Sequence, residues 1–154
     1  RNDLSRIAQK GSVSVDELFG IYEFAHVFQM ISTISATLKE NIMFTDILKA
    51  LFPAGSMTGA PKISAMKIIE ETESFKRGLF SGTVGYITPT GDFDFNVVIR
   101  SVLYNEETQT ALIPAGGALT VKCNALDEYN ECLLKARANL SLLDLSWEVL
   151  EKAE

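Results

Sequence analysis

Apolar residues change their spacing several times along this chain, and each spacing predicts an element. "GSVSVDELFGIYEF" (11–24) mixes a short alternating run with apolar and aromatic residues. "HVFQMISTISATL" (26–38) alternates and is rich in β-branched side chains, the pattern of a strand. Thr45 stands as an N-cap for a short helix, "DILKALF", that must stop near Pro53. Farther on, "PKISAMKIIEETESF" carries apolar residues at Ile63, Ala65, Met66, Ile68 and Ile69. That spacing predicts an amphipathic helix with Pro61 in its first turn and Thr58 as a candidate cap.

Gly78, Gly82 and Gly85 punctuate the next region. "TVGYITPTGDFDFNVVIRSVLYNEETQTALIPAGGALTV" (83–121) predicts three strands joined by a "PTGD" turn and a "NEET" turn. Both turns are short enough to force antiparallel neighbours. A long helix from about Leu126 to Lys152 closes the chain, broken or bent near "SLLDLS". Runs of strands followed by a packed helix predict an α+β arrangement, not βαβ alternation.

The chain has 154 residues, one domain's worth with no linker-like or repetitive tract, and enough to bury a sizeable core. Its apolar and charged fractions, 47% and 22%, are those of an ordinary globular protein. A net charge of −6 argues against non-specific nucleic-acid binding, which needs a positive footprint. No apolar run reaches the length of a membrane span and no signal peptide opens the chain, so a cytoplasmic protein is expected. Cys123 and Cys132 have neither metal-ligand nor disulfide-framework spacing and read as reduced thiols. His26, the one histidine, excludes a multi-histidine metal site. The opening "RNDLSRIA" lacks an initiating Met and reads as the continuation of an earlier element, so a longer polypeptide is expected.

"AGSMTGAPK" (54–62) sets two glycines, two hydroxyls and a lysine before the helix pattern. It is not a phosphate-binding P-loop: Ala60 and Pro61 follow the second glycine, and Ile63 stands where a magnesium-binding hydroxyl belongs. Free N–H groups with Ser56, Thr58 and Lys62 suit an anion, a carboxylate as well as a phosphate. A capped turn without a ligand is the favoured alternative for this stretch taken alone.

In "DEYNECLLKARANL", Glu128, Glu131 and Lys135 fall at i, i+3 and i+7, on one helical face. A solvated face of exposed pairs is the ordinary reading. The glycine pair of "AGGALT" just before the helix changes it, because a backbone without side chains can approach a ligand closely. Two carboxylates repel an anionic ligand unless Mg²⁺ bridges them, taking oxygen ligands from both sides. Lys135 would then reach a ligand carboxylate directly. Arg100, ending "FNVVIR" among Val97, Val98, Ile99 and Val102, is costly to bury without an anion. It either pairs with Asp92 or Asp94 or clamps a carboxylate.

"RNDL", "GSMTGAPK", "GTVGY", "GDFDFNVVIR", "PAGGALT" and "DEYNECLLKARANL" resemble, in this order, the motifs of chorismate-utilising enzymes. That family includes anthranilate synthase component I, aminodeoxychorismate (para-aminobenzoate) synthase component I and the isochorismate synthases. The resemblance runs from Arg1 to about Leu143, and "MTGAPK", "PAGG" and "EYNE" are closer to the para-aminobenzoate branch. It implies antiparallel β-sheets packed face to face with helices outside, and a site between the sheets for chorismate with Mg²⁺.

By position, Glu131 resembles the family's metal-binding glutamate, and Glu128 the neighbour that holds the metal or its waters. Lys135 resembles the lysine that meets a substrate carboxylate, and Arg100 the arginine that grips the enolpyruvyl carboxylate. Ser56 resembles a hydroxyl near the ring, and Gly116 and Gly117 the backbone donors beside the substrate. Phe80 stands where a tyrosine is frequent, keeping the ring and losing the hydroxyl, and Ala118 where a third glycine is frequent. Gln29 occupies the place of a ring-facing histidine, so acid chemistry there cannot use an imidazole. His26, three residues earlier on the predicted strand, falls on the opposite face.

The resemblance implies amination of chorismate to 4-amino-4-deoxychorismate, with ammonia from a glutamine amidotransferase subunit or domain. Anthranilate synthase, isochorismate synthase and a non-catalytic binding or regulatory domain are the alternatives. A further metal-binding glutamate and the residues that deliver the nucleophile lie upstream of "RNDL" in the family. The chain is therefore expected to be the C-terminal portion of the catalytic domain, without its upstream half and inactive alone.

Overall fold

The computed structural model of the chain describes residues 1–24 and 28–143. His26 and the predicted helical segment beyond residue 143 lie outside the described residues. The chain divides into two compact units, Arg1–Met66 and Lys67–Glu154. The division falls inside a continuous helix, which is why no composition shift marks it in the sequence.

In the first unit, α1 (Asn2–Ile7) leads to a hairpin of β1 (Ser14–Glu23) and β2 (Phe28–Ser35), followed by α2 (Phe44–Leu51). β1 and β2 are antiparallel, Ser14 opposite Ser35 and Glu23 opposite Phe28. The register shifts between Val15 and Glu17 and again between Glu17 and Gly20. Phe19 sits in the second irregularity with φ 56°, and its N–H donates to Ser32 Oγ at 3.0 Å. A bulge of this kind re-aims side chains and breaks strict alternation. The predicted alternation of β2 accordingly does not give one buried face: Ile31 and Ile34 are half-buried, while Phe28 is 74% exposed.

Helix α2 begins one residue before Thr45. Met43 is its N-cap, and Asp46 Oδ2 accepts from the Met43 N–H at 3.1 Å. The residue before a proline is driven to extended backbone, and Phe52 (ψ 144°) ends the helix at Pro53 as predicted. Ile47 and Ala50, one turn apart, pack with Ile7 of α1 into a small core flanked by Ile42 and Leu51.

Helix α3 (Lys62–Thr72) follows, but no residue in it is buried; Ile63 and Ile68 are more than half exposed. Its first turn is closed by the Pro61 carbonyl, which accepts from Ala65 N at 3.0 Å. Thr58 does not cap it: the Thr58 hydroxyl donates back to Ala54 O at 3.2 Å, closing the 3₁₀ turn Gly55–Met57 instead.

In the second unit, β3 (Thr83–Ile87) and β4 (Phe93–Val97) form one hairpin around "PTGD", with Gly91 at φ 91°. β5 (Leu103–Asn105) and β6 (Thr110–Leu112) form another around "NEET". Four short strands therefore replace the three predicted. The run "FNVVIRSVLY" is divided because Ile99 N turns back to Val97 O at 2.9 Å and Arg100 follows at φ 52°. Helix α4 (Ala125–Leu142) starts on Asn124, whose Oδ1 accepts from Leu126 N at 2.9 Å and Asp127 N at 3.3 Å. Asp127 and Glu128 in its first turn complement the helix dipole.

The class is α+β with antiparallel sheets, as the sequence predicts. The sizeable core is not met: no large side chain among the described residues is fully buried. Each described sheet has two strands, too few to cover a face by themselves.

Ser14 and Ser35 face each other at the mouth of the β1–β2 hairpin, and both hydroxyls donate to Asp16 Oδ1, at 2.5 and 3.1 Å. These bonds, Ser14 first, hold the Asp16 carboxyl below its ordinary value. A lowered carboxyl stabilises the fold above its unfolded value, about pH 4, and that contribution fades as pH falls through the folded value. Ser35→Ala is expected to move the Asp16 carboxyl back up in a ¹³C NMR titration; no movement would remove the cross-strand bond as its cause.

Candidate active site

In the first unit, the predicted site residues occupy separate elements. Gln29 lies exposed on β2 opposite Tyr22, and Ser56 lies exposed in the Gly55–Met57 turn. Lys62 is a candidate for an anion in this loop, but its side chain is 8% exposed and its ammonium is committed to Asp3 Oδ2 at 2.7 Å. Its further contact, to Leu51 O at 3.4 Å, ties the same group to the end of α2. The lysine fastens the loop to α1 and is not offered to a ligand.

The second unit gathers the rest around the start of α4. Glu128, Glu131 and Lys135 stack along one helical face, because three- and four-residue steps return the helix to the same side. Lys135 Nζ meets Glu131 Oε1 at 2.5 Å and donates to the Gly116 carbonyl at 3.0 Å. That lysine therefore links the helix to the "PAGG" segment, which is irregular chain beyond β6 and not the end of a strand. The hydrogen bond from Lys135 is the main cause that holds the Glu131 carboxyl below its ordinary value. Lys135's charge adds to it, slight burial opposes it, and Arg100 contributes a smaller lowering.

Arg100 is exposed in the segment between β4 and β5, so the expectation of a guanidinium buried within the sheet does not hold. The tight turn at Val97–Ile99 swings it out of the strand. Its positive charge acts on Glu131.

Glu128 has a different setting. Its Oε2 is buried and has no hydrogen-bond partner among the described residues. A Cβ on Gly117 would stand 2.7 Å from that oxygen, and Cys132 Sγ lies 3.8 Å from the same point. Glycine at 117 thus makes the space the carboxylate occupies. A buried acceptor left alone costs roughly 1–3 kcal/mol, more when charged. Phe80, 8% exposed, borders the same segment, since a Cβ on Gly116 would lie 3.7 Å from its Cζ.

The donor set suits a hard divalent cation. Two carboxylates a turn apart, one with an unpartnered oxygen, match Mg²⁺, which takes one or two protein carboxylates and keeps several waters. No cluster of three or more His, Cys, Asp or Glu occurs among the described residues, so a closed all-protein cage is absent from them.

Sequence reasoning missed Arg77. Its guanidinium bonds Glu73 (2.8 Å from Nε) and Ser81 Oγ (2.9 Å), and lies 5.9 Å from the centroid of the Phe80 ring. The Glu73–Arg77 spacing of four was the available signal. The pair lowers the Glu73 carboxyl, by hydrogen bonding above all, and steadies the ring that borders Gly116.

Comparison with known proteins shows the family of the chain. A family model described as chorismate binding enzyme matches residues 1–141. The chain is 43% identical over 138 residues to an aminodeoxychorismate synthase of Arabidopsis thaliana, covering 90% of this chain and 15% of that protein. It is 41% identical over 143 residues to anthranilate synthase component 1 of Mycolicibacterium smegmatis, covering 93% of this chain and 27% of that protein. The crystal structure of anthranilate synthase component I from Streptococcus pneumoniae superposes with a TM-score of 0.80 at 37% identity, over 88% of this chain and 31% of that one. The chain thus spans less than a third of the length of each of these relatives. With a family match that begins at Arg1 and takes in the Glu128–Glu131–Lys135 face, this chain belongs to the chorismate binding enzymes.

Proposed function

We propose that this chain is the C-terminal portion of a catalytic domain that aminates chorismate to 4-amino-4-deoxychorismate. The observation that carries the reading is the α4 face: Glu128 with its unpartnered oxygen, Glu131, and Lys135 between Glu131 and the Gly116 carbonyl. Mg²⁺ held by Glu131 with help from Glu128 would neutralise the ring carboxylate and assist departure of the C4 hydroxyl. Ammonia, released from glutamine by an amidotransferase subunit or domain, forms the new C–N bond; the C4–O bond breaks and the hydroxyl leaves as water.

The chain's own residues bind and orient. Lys135 Nζ donates to a substrate carboxylate, and Arg100, exposed and with its positive charge acting on Glu131, grips the enolpyruvyl carboxylate as a planar fork. Gly116 and Gly117 present backbone beside the substrate, and Phe80 supplies an apolar wall. Ser56 and Gln29 belong to the first unit and enter this proposal only through the resemblance of their positions in the motifs. Gln29 offers an amide, which orients a group by hydrogen bonds but does not transfer a proton near pH 7. A cytoplasmic location belongs to the same proposal; no helix among the described residues is long and apolar enough to cross a membrane.

The likeness to anthranilate synthase component I at 41% identity supports a second reading, amination at C2 with loss of pyruvate. Mass spectrometry of the full protein with chorismate, Mg²⁺ and ammonium separates them. Aminodeoxychorismate without pyruvate is expected; anthranilate with pyruvate would establish the second reading, and no product would leave a non-catalytic domain.

A further inference from the structure

Two carboxylates of the α4 face are treated unequally. Glu131 Oε1 has an ammonium 2.5 Å away, whereas Glu128 Oε2 is buried beside Gly117 without a hydrogen-bond partner among the described residues. The Lys135 side chain is 23% exposed, against 50% for that of Glu131, so the lysine is the more covered member of the pair. Its ammonium is also tethered from the other side by the Gly116 carbonyl at 3.0 Å. That carbonyl is neutral and does not compete for the positive charge. It keeps Nζ in place if the contact to Glu131 is given up.

We propose that Lys135 is an internal counter-ion which a divalent cation displaces from Glu131, and that this displacement frees the lysine for a ligand carboxylate. This rests on the metal reading of Glu128 and Glu131 given above. The argument is one of shared oxygen. An ammonium and a divalent cation on one carboxylate oxygen repel each other, so occupancy by one opposes the other. Once released, Nζ keeps its bond to Gly116 and has two donors left for an anion. The coupling is reciprocal: a carboxylate ligand that draws Nζ from Glu131 tightens metal binding to the same extent that the metal tightens the ligand. Lys135 is then a positioning residue for the metal as well as a ligand contact.

Calorimetric titration of Mg²⁺ into the full protein, with no organic ligand, tests this directly. Lys135→Met is expected to bind Mg²⁺ about three- to fivefold more tightly than the parent, the upper part of the range for an exposed ion pair, since this lysine is mostly covered. Lys135→Gln, neutral but polar, is expected to do the same and serves if the Met variant does not fold. Lys135→Arg restores the cation and is expected to return the affinity to within about twofold of the parent. Arg137→Met removes the same charge from the same helix two positions on, and is expected to change affinity less than about twofold because salt screens separated charges. Equal or weaker binding in both neutral variants would overturn the exchange and leave the metal site standing. Tightening by Arg137→Met as large as that of Lys135→Met would overturn it as well, reducing the effect to net charge. Absence of Mg²⁺ binding in every protein would overturn the metal reading, and the exchange with it.

Discussion

Glu131→Gln is expected to lower Mg²⁺-dependent turnover of chorismate by at least about 10²–10³-fold in the full protein, the scale of several kcal/mol of charge stabilisation by a metal. The amide keeps the size of the side chain and an oxygen that can accept from Lys135, so the helix face should stay assembled. What it loses is the formal charge, and a neutral amide oxygen is a much poorer ligand for a hard cation. Lys135 would also lose the partner that holds it by charge, keeping only the Gly116 carbonyl. Initial rates of chorismate consumption across a Mg²⁺ series decide the matter. Turnover that stays at the parent level once Mg²⁺ is saturating would sink the assignment of Glu131 to the metal.

Gly117→Ala is the second large effect, expected to weaken Mg²⁺ binding about 10–100-fold, as displacement of groups around a metal does. The added Cβ would stand 2.7 Å from Glu128 Oε2, closer than real atoms approach. The carboxylate is the far end of a flexible side chain, so it moves and the backbone does not. Gly117 is not among the glycines of positive φ, so alanine adds no backbone strain there. The fold should therefore survive with a small change in melting temperature while the second carboxylate is turned away. A melting temperature that collapses would mean that Gly117 serves packing, and an unchanged affinity would mean that Glu128 takes no part in the metal site.

Much of this protein was legible residue by residue. Pro53 and the extended Phe52 end α2 where the sequence says they must. Turn chemistry placed "PTGD" and "NEET" between antiparallel strands, because Gly91 and Asn105 satisfy local requirements that no distant contact alters. Glu128, Glu131 and Lys135 share a face for the same local reason, the helix period. The caps were less legible. Thr45 and Thr58 are good capping types, but Asp46 reaches back to Met43 and the Thr58 hydroxyl turns toward Ala54. Which of several neighbouring polar groups closes a turn depends on backbone path, not on residue type alone.

Non-local questions were read least well. "FNVVIRSVLY" carries every mark of one strand, yet it breaks at Val97–Ile99 and puts Arg100 in the open. Lys62 has the composition of an anion site around it, and Asp3, 59 positions earlier, takes its charge. The sequence by itself determined the family, the α+β class and the spacing of the charged groups along α4, all set by local periodicity and motif order. Only the tertiary structure decided that Gly117 hollows the place for a buried Glu128 oxygen, and that Gly116 and Glu131 share Lys135. Those facts follow from how close an irregular segment passes to a helix, a distance that no pattern along one chain encodes.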